Sequence, residues 1–538
     1  MNPDCEETVS GQLNTLDRFS DLPDFILHHI ISFLDTREAY RTCILSKRWA
    51  HISATNPIIE FHYYCEPKSP HRYWPSEEVS ARLLGYIDSR MQRYAKDNLR
   101  VRTLRLRFPN SHKVGGCNVK DLRCIVKELP HVEELPSKID EWLRIAVRNQ
   151  VEKLDLGSPV FEYQLPDILL SAKSLRQLNC IQVKIPNYNG AINLESLQTL
   201  ELLCVDVEER MLNHIISSCL LLKCLSVNNC SGFKTIVIPC CSQLKELTLC
   251  NTLPKDGTII LETSSLVCFK FSDLAFDRWP VMSKPGLLRN LTVLDIYYSG
   301  ITDGDLGKLL LELASLETLL LYNCRKLITI RVLSIRLNVI CLENCRGLVD
   351  VMVDAPSLTK FIYRGTFGLY PAITISSQTS CDISVRTTTN YLDTQGFFKM
   401  QKLMTGLRSC HAVEISLANS LYQSVCDSIK FNEEELGDVN LGPPRNITEL
   451  KLTLYYLKLS RSSVSAFLNG IFWTCRPDII SFRFYLEDPD LMIQLFMSEL
   501  EDMANCLRHP LKRIECPDAN CSNILESEKV EVQWRLHW

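Results

Sequence analysis

No run of apolar residues in this chain approaches the roughly 18–20 needed for a membrane-spanning helix. A membrane protein is therefore not expected. Positive charge is not in excess either. There are 59 Lys and Arg against 63 Asp and Glu, a formal net charge of −4, whereas a surface that holds phosphate backbones is basic. Nucleic acid is not expected as a partner. The opening residues, MNPDCEETVSGQLNTLDRF, lack a basic start, an apolar stretch and a small-residue cleavage site. The chain is read as unexported, hence intracellular, in cytoplasm or nucleus. Compositional bias is missing as well: 46% hydrophobic and 23% charged residues are ordinary globular values. At about 150 residues per domain, the 538 residues would make three to four domains.

What is plentiful is cysteine, 24 residues. Without export the thiols stay reduced, so they are expected as small buried hydrophobes or as metal ligands. Other chemistry is hard to find. GITDGDLGKLL (300–310) contains Gly307-Lys308 but lacks the upstream Gly and following Ser/Thr of a phosphate loop. No nucleophile–base pair can be picked from spacing. The sequence gives no sign of catalysis and implies no cofactor.

A repeat dominates the chain. The pattern apolar-x-x-apolar-x-apolar recurs as VEKLDL (151–156), LRQLNC, LQTLEL, LKCLSV, LKELTL, LVCFKF, LTVLDI, LETLLL, LNVICL and LTKFIY (358–363). Its fourth position falls at 154, 178, 200, 225, 247, 269, 294, 319, 340 and 361. The nine gaps, 21 to 25 residues each, lie inside the window of about 20–29 for leucine-rich repeats. Alternation over five or six residues makes a strand with one buried face. A strand that short pairs in parallel with its neighbour one coil away, and the rest of the coil returns as helix or turn. MLNHIISSCLLL (211–222) has helical spacing at Leu212, Ile215, Ile216 and Cys219. The fold expected is α/β: a solenoid with parallel strands on its concave face and helices or turns outside.

Weaker units flank the array. VRTLRL (101–106) fits upstream, with HVEEL (131–135) as a partial copy between. AVEISL (412–417), ITELKL (447–452) and IISFRF (479–484) fit downstream at gaps of 54, 35 and 32. Residues 373–390 alternate enough to be strand. Cys230, Cys324 and Cys345 share one register, each after Asn229, Asn323 or Asn344, where the chain leaves the strand. They are expected to be a stacked structural position.

Residues 17–56 carry no repeat. Asp21 can cap a first helix with Pro23 in its first turn. Phe25, Ile26, Ile30, Phe33 and Leu34 follow helical spacing, and Leu27 and Ile31 widen the stripe. Thr36 can cap a second helix with Ala39, Tyr40, Cys43 and Ile44 on its apolar side, and Ser46 a third, with Trp49 and Ile52. So small a module cannot bury such wide stripes by itself. Surplus apolar surface marks a partner site.

LPDFILHHIISFL followed by AYRTCILSKRW resembles an F-box in its plant form. IDEWLRIAVRNQVEKLDL (139–156), LPDILLSAKSLRQL (165–178) and ISSCLLLKCLSVNNCSGFKTI (216–236) are similar to strings of plant F-box/leucine-rich-repeat proteins, with Leu220 in place of the usual Pro. CLRHPLKRIEC (506–516) resembles part of the C-terminal FBD domain often attached to that family, in divergent form. The organisation implied is an N-terminal tail (1–16), an F-box (17–56), a linker and helical entry (57–100), leucine-rich repeats (101–365), degenerate repeats with insertions (366–440) and a C-terminal repeat or FBD-like region (441–538). The resemblance implies docking onto a Skp-family adaptor and, through it, a cullin–RING ubiquitin ligase. It implies adaptor contacts, or their support, at Leu22, Pro23, Ile26, Leu27, Ile30, Leu34, Leu45, Ser46, Lys47, Arg48 and Trp49. Trp49 can equally belong to the module's own core.

Residues between the buried positions of each strand point to the concave side. They include Arg105, Arg107, Glu201, Asn228, Glu246, Thr248, Lys270, Asp295, Tyr297, Tyr322, Glu343, Lys360, Arg364 and Lys451. Their mixed signs fit a protein substrate, for which Glu246, Lys270, Asp295, Tyr297, Tyr322, Glu343, Lys360 and Arg364 are the expected contacts, with the two tyrosines as anchors. The function expected is substrate recognition for the ligase, without catalysis. The alternatives are an interaction scaffold that directs no degradation, and a receptor for a small hormone-like molecule. The adjacent His28 and His29 point about 100° apart on a helix and are not a metal pair. Cys506, His509, Cys516 and Cys521, in the order C-x2-H-x6-C-x4-C, are the best zinc candidate by count. The short central connection favours packing, and no metal is expected. Asn290 and Asn446 head glycosylation sequons that are chance matches without export.

Overall fold

A computed structural model describes residues 22–34, 36–62, 77–107, 134–157, 163–240, 242–254, 256–274, 279–283, 285–366, 371–376, 382–388, 392–407, 412–418, 429–436, 447–455, 459–485, 489–506, 510–515 and 529–538. The fold is α/β, a helical N-terminal module followed by repeat coils of parallel strands. The chain divides into two compact units, Met1–Val207 and Glu208–Trp538.

The first unit opens with three short helices, α1 (Asp24–Ile31), α2 (Thr36–Arg41) and α3 (Lys47–Ala54). Pro23 is the N-cap of α1, in extended backbone and without a side-chain cap, so the helix starts one residue after the proline rather than containing it. The proline's φ of −60° would suit a helix, and it is the extended ψ of 150° that leaves it outside. Asp21 lies outside the described residues. Ser46 caps α3 as its sequence suggests, its side chain accepting from the Trp49 N–H at 3.2 Å. Leu27, Ile31, Ala39, Trp49 and Ile52 form the module's core, with Leu22 and Ile30 packed against it. Helix α2 stops at Arg41, and a 3-10 turn, Thr42–Ile44, follows. That turn rotates Ile44 out of the α2 apolar stripe, leaving it 83% exposed.

Five parallel strands come next: Ile58–His62, Thr103–Arg107, Lys153–Gly157, Gln177–Ile181 and Thr199–Leu203. The row Ile59, Leu104, Leu154, Leu178, Leu200 runs across them in register, each residue at most 5% exposed. Stacked rows of this kind contribute about 1.5–3 kcal/mol per buried aliphatic side chain. Two sequence expectations need correction. Residues 58–62 are a strand of the first coil, not linker. HVEEL is not a repeat copy: 131–133 lie outside the described residues, Leu135 begins the helix Leu135–Arg148, and 103–107 pairs directly with 153–157. The helix Glu77–Lys96 returns the first coil, and Asp88 on it accepts from Trp142 Nε1 of Leu135–Arg148 at 3.0 Å. Trp142 is wholly buried.

In the second unit the strands Cys224–Asn228, Glu246–Cys250, Cys268–Ser272, Val293–Tyr297, Thr318–Tyr322, Val339–Glu343 and Lys360–Thr366 pair in parallel, one per coil. Leu225, Leu247, Phe269, Leu294, Leu319, Ile340 and Phe361 line up in one buried row. The expected helix is Glu209–Ser218, burying Leu212, Ile215 and Ile216, with Cys219 at its C-cap.

At the corners Asn229, Asn323 and Asn344 have φ of 51°, 56° and 55°, the left-handed region that asparagine tolerates better than most residues. That turn lets each Asn N–H reach the next coil, Asn229 to the Cys250 carbonyl at 2.7 Å and Asn344 to that of Arg364 at 2.6 Å. The cysteines that follow are buried and donate weakly to carbonyls, Cys324 to Tyr322 and Cys345 to Leu321.

The gap of 54 in the pattern hides a coil. Asp382–Thr388 is a strand, with Phe361 opposite Ile383 and Ile383 opposite Val413. Ala412–Ala418, Glu449–Tyr455 and Ile479–Tyr485 continue in parallel. Helices Thr394–Gly406, Arg461–Thr474 and Pro489–Asn505 fill the longer coils. Lys529–His537 then reverses the sense, pairing antiparallel with 479–485 and with Arg513–Glu515. Trp534 is buried against Phe482 in that closing pair, ring centroids 5.3 Å apart.

Candidate functional site

The helical module has a two-sided chemistry. One side is the core described above. The other exposes large apolar residues: Phe25 (69%), Phe33 (76%), Ile44 (83%) and Leu45 (64%), with Leu34 beside them at 37%. Leu27 and Trp49 are in the core, Ile26 and Ile30 are half-buried, and Pro23, Ser46 and Lys47 are exposed. Arg48 ties the ends of the module together, donating to Asp24 Oδ1 at 2.9 Å and to the Leu22 carbonyl. That guanidinium holds the Asp24 carboxyl below the usual range. Of the histidine pair, His28 contacts Thr55 Oγ1 at 3.1 Å and His29 packs edge-on to Phe33. Burial pushes the His28 imidazole towards its neutral form.

The face of the strands opposite the core is the second candidate surface. In the first unit it carries a closed charge cluster. Arg105 donates to Glu60 at 2.6 Å and to Asp155 Oδ2 at 3.1 Å, and Arg107 Nε donates to the same Oδ2 at 2.8 Å. Asp155 is buried and both guanidinium groups point onto it. Glu201 is exposed on the same face.

In the second unit the corresponding face is less polar than strand parity suggests. Its three rows run along Cys224, Glu246, Cys268, Val293, Thr318, Val339 and Lys360; along Ser226, Thr248, Lys270, Asp295, Leu320, Cys341 and Ile362; and along Asn228, Cys250, Ser272, Tyr297, Tyr322, Glu343 and Arg364. Tyr297 and Tyr322 stack, ring centroids 4.2 Å apart and planes 8° apart. Glu343 pairs with Arg364 at 3.0 Å. Lys270 and Lys360 are exposed, as is Glu246.

Asp295 departs from the sequence expectation. It faces this side, yet it is only 6% exposed, covered by its neighbours in the rows. Its Oδ1 has no hydrogen-bond partner. Loss of hydration is the main cause that moves its carboxyl up to about 6, with Lys270 opposing. Further along, Lys451 pairs with Glu449 at 3.4 Å, and Tyr455 stacks on Tyr485 at 4.5 Å.

Sequence reasoning missed Leu320, Cys341 and Ile362, which form an apolar floor on this face. In LETLLL, LNVICL and LTKFIY the outward residue is apolar too, so parity has nothing to mark it. A helix-free run of apolar residues flanked by consecutive tyrosines at one register was the available signal. Of the zinc candidates, Cys506 is exposed, whereas His509, Cys516 and Cys521 lie outside the described residues. Among the described residues no group of three or more His, Cys, Asp or Glu is placed to hold a metal ion. No described helix is long and apolar enough to cross a membrane.

These features have counterparts among known proteins. Residues 19–60 match the F-box domain family. Residues 111–274 and 259–416 match the family described as the At1g61320/AtMIF1 LRR domain, which together cover more than half the chain. Two Arabidopsis thaliana relatives are the F-box/LRR-repeat proteins At3g59200, 27% identical over 281 residues, and At3g03360, 27% identical over 225. The first comparison covers 49% of this chain and 47% of the relative, the second 41% and 40%. The chain thus spans about half the length, or less, of these relatives. A helical F-box module followed by leucine-rich-repeat coils defines the class of protein. The chain belongs to the plant F-box/leucine-rich-repeat family.

Proposed function

We propose that this chain is the substrate-recognition subunit of a Skp adaptor–cullin–F-box ubiquitin ligase. The observation that carries the reading is the apolar face of the helical module, where Phe25, Phe33, Ile44 and Leu45 stand in water although the module has a complete core of its own. Four large apolar side chains exposed on about forty residues are costly to solubility unless a partner covers them. The adaptor residues are Phe25, Phe33, Leu34, Ile44 and Leu45, with Leu22, Leu27, Trp49 and Arg48 setting the geometry beneath them. The open face of the repeat strands binds a protein substrate. Its mixed charges, aromatic stack and apolar floor suit a polypeptide. The work done is proximity: holding substrate and transfer machinery on one scaffold raises their effective concentration, with no bond made or broken here.

The test is binding of purified Skp adaptor to the full chain, compared with Ile44→Asp and Leu45→Asp chains. These exposed substitutions leave the core untouched. Adaptor binding that persists undiminished in both would sink the docking assignment. Whether bound partners accumulate when the protein is removed from cells then separates a ligase subunit from a scaffold.

A further inference from the structure

Two aspartates occupy the same central row position on strand faces of the two units, with opposite surroundings. Asp155 in the first unit is buried and receives Arg105 from the strand beside it and Arg107 two residues further on. Asp295 in the second unit is equally buried, 6% exposed, but its strand neighbours at that register are Lys270 and Leu320. The Lys270 ammonium makes no ion pair with it within 4.0 Å, and Oδ1 has no hydrogen-bond partner; Asp155 Oδ1 has none either, and what separates the two aspartates is the pair of arginines on Asp155 Oδ2. A carboxyl in such a place is left short of donors, at a cost that pairing would remove.

Directly beyond Asp295 on its own strand is Tyr297. One face of that ring is closed by Tyr322. The other looks towards Ser272 and Cys250, small side chains on the next two strands at the same register. The outer Tyr297 face is thus flanked by small side chains, with the Asp295 carboxyl in the row beside it and Leu320 on the far side of the aspartate.

We infer that this place is an anchor for an arginine side chain of the bound polypeptide, which lies on the Tyr297 ring and donates to the Asp295 carboxyl. A guanidinium is planar, stacks on aromatic faces and meets a carboxylate with paired N–H groups. Lysine, a strongly hydrated point charge, does neither. The guest arginine supplies to Asp295 what Arg105 supplies to Asp155. The raised carboxyl is consistent with a group that regains its ordinary ionisation on pairing. Lys270, exposed beside the site, is free to swing away as the guest enters, and it selects against a second basic residue next to the first.

The inference rests on the reading that the open strand face is the recognition surface, and one experiment separates the two. A random peptide library is panned against the full chain, and enriched peptides are measured on the wild type, Asp295→Asn and Leu320→Arg. Leu320→Arg places a guanidinium at the same register on the following strand, on the side of Asp295 opposite to that from which Arg105 approaches Asp155, so it can pair with the carboxyl from within and compete with the guest. The expected result is a shared arginine in the enriched peptides. Its replacement by citrulline or lysine weakens binding about tenfold or more, by the energy of one buried ion pair. Asp295→Asn gives the same loss and makes the citrulline change silent. Leu320→Arg abolishes binding. Peptides lost on Leu320→Arg but lacking a common arginine, or indifferent to Asp295→Asn, overturn the anchor and leave the recognition surface standing. Peptides indifferent to Leu320→Arg, or no enrichment at all, overturn the recognition surface and the anchor with it.

Discussion

Arg48 on α3 reaches back across the helical module to Asp24 in the first turn of α1, 2.9 Å from nitrogen to carboxylate oxygen, and donates also to the Leu22 carbonyl. One side chain thus closes the module on itself, independently of the core. The pair is solvent-exposed, so its contribution is small, but its pH dependence has a definite sign. The Asp24 carboxyl is held below its ordinary value of 3.8, first by the Arg48 hydrogen bond. Its stabilising effect is present above that ordinary value and disappears as pH falls through the lowered one. Asp24→Asn should leave the neutral-pH fold intact and remove this component of acid sensitivity, read as amide exchange in α1 between pH 5 and pH 2, a range set by about one to two pH units around the ordinary carboxyl.

The core and the exposed face of the module should separate cleanly by mutation. Leu27→Ala and Ile52→Ala remove wholly buried side chains and should each destabilise the module by about 2–4 kcal/mol. Ile44→Ala and Leu45→Ala should change stability by no more than about 0.5 kcal/mol while weakening adaptor binding about tenfold. Amide exchange in α1 and α3 of the full chain, alongside adaptor calorimetry, checks both. Equal stability losses in the two sets would contradict the division.

Asp295 should make the repeat unit less stable at neutral than at mildly acidic pH. Its carboxyl lies above its ordinary value of 3.8, at about 6, so the folded state binds the extra proton between those limits and stability falls as pH rises through them. Of the groups around it, Lys270 lowers its value, while Tyr297, Cys250 and Cys268, whose own values its charge raises, stay neutral throughout that window. Asp295→Asn should flatten the pH dependence of the melting temperature between about 4 and 6.5, with a gain of about 1 kcal/mol at pH 7. An unchanged slope in the variant would show that another group carries it.

The corner asparagines should be sensitive to backbone conformation more than to side-chain polarity. Asn344 has φ 55° and its N–H donates across the coil to Arg364 at 2.6 Å. Asn344→Val should cost about 1–2 kcal/mol, because a β-branched residue is strained there. Asn344→Gly should cost no more than a few tenths of that. Thermal unfolding of the two variants side by side distinguishes the cause: equal losses would assign the role to the side-chain amide.

The 21-to-25-residue period determined the coil spacing, and with it the buried row from Leu154 to Leu200 in the first unit and from Leu225 to Phe361 in the second. Those residues were legible because a period-two pattern inside a fixed repeat leaves little freedom about which face is buried. The F-box strings were legible too, as was the Ser46 cap. Tertiary structure decided everything that depends on a neighbour one coil away. The strand at 58–62 went unread because its partner is 45 residues further on; the alternation at 373–390 marked the strand at 382–388, but not its pairing as a further coil, because it sits in an irregular spacing. Which apolar residues of the helical module form its core, Trp49 and Leu27, and which stay outside, Phe33, Ile44 and Leu45, follows from how three short helices meet, not from their individual stripes. The opposite situations of Asp155 and Asp295 are the sharpest instance. The letters of the two strands put an acid at the same position, and only the side chains on the adjoining coils, Arg105 in one case and Lys270 with Leu320 in the other, determine whether its charge is met. A carboxyl's energy is set by what surrounds it in space, and the sequence orders residues along the chain alone.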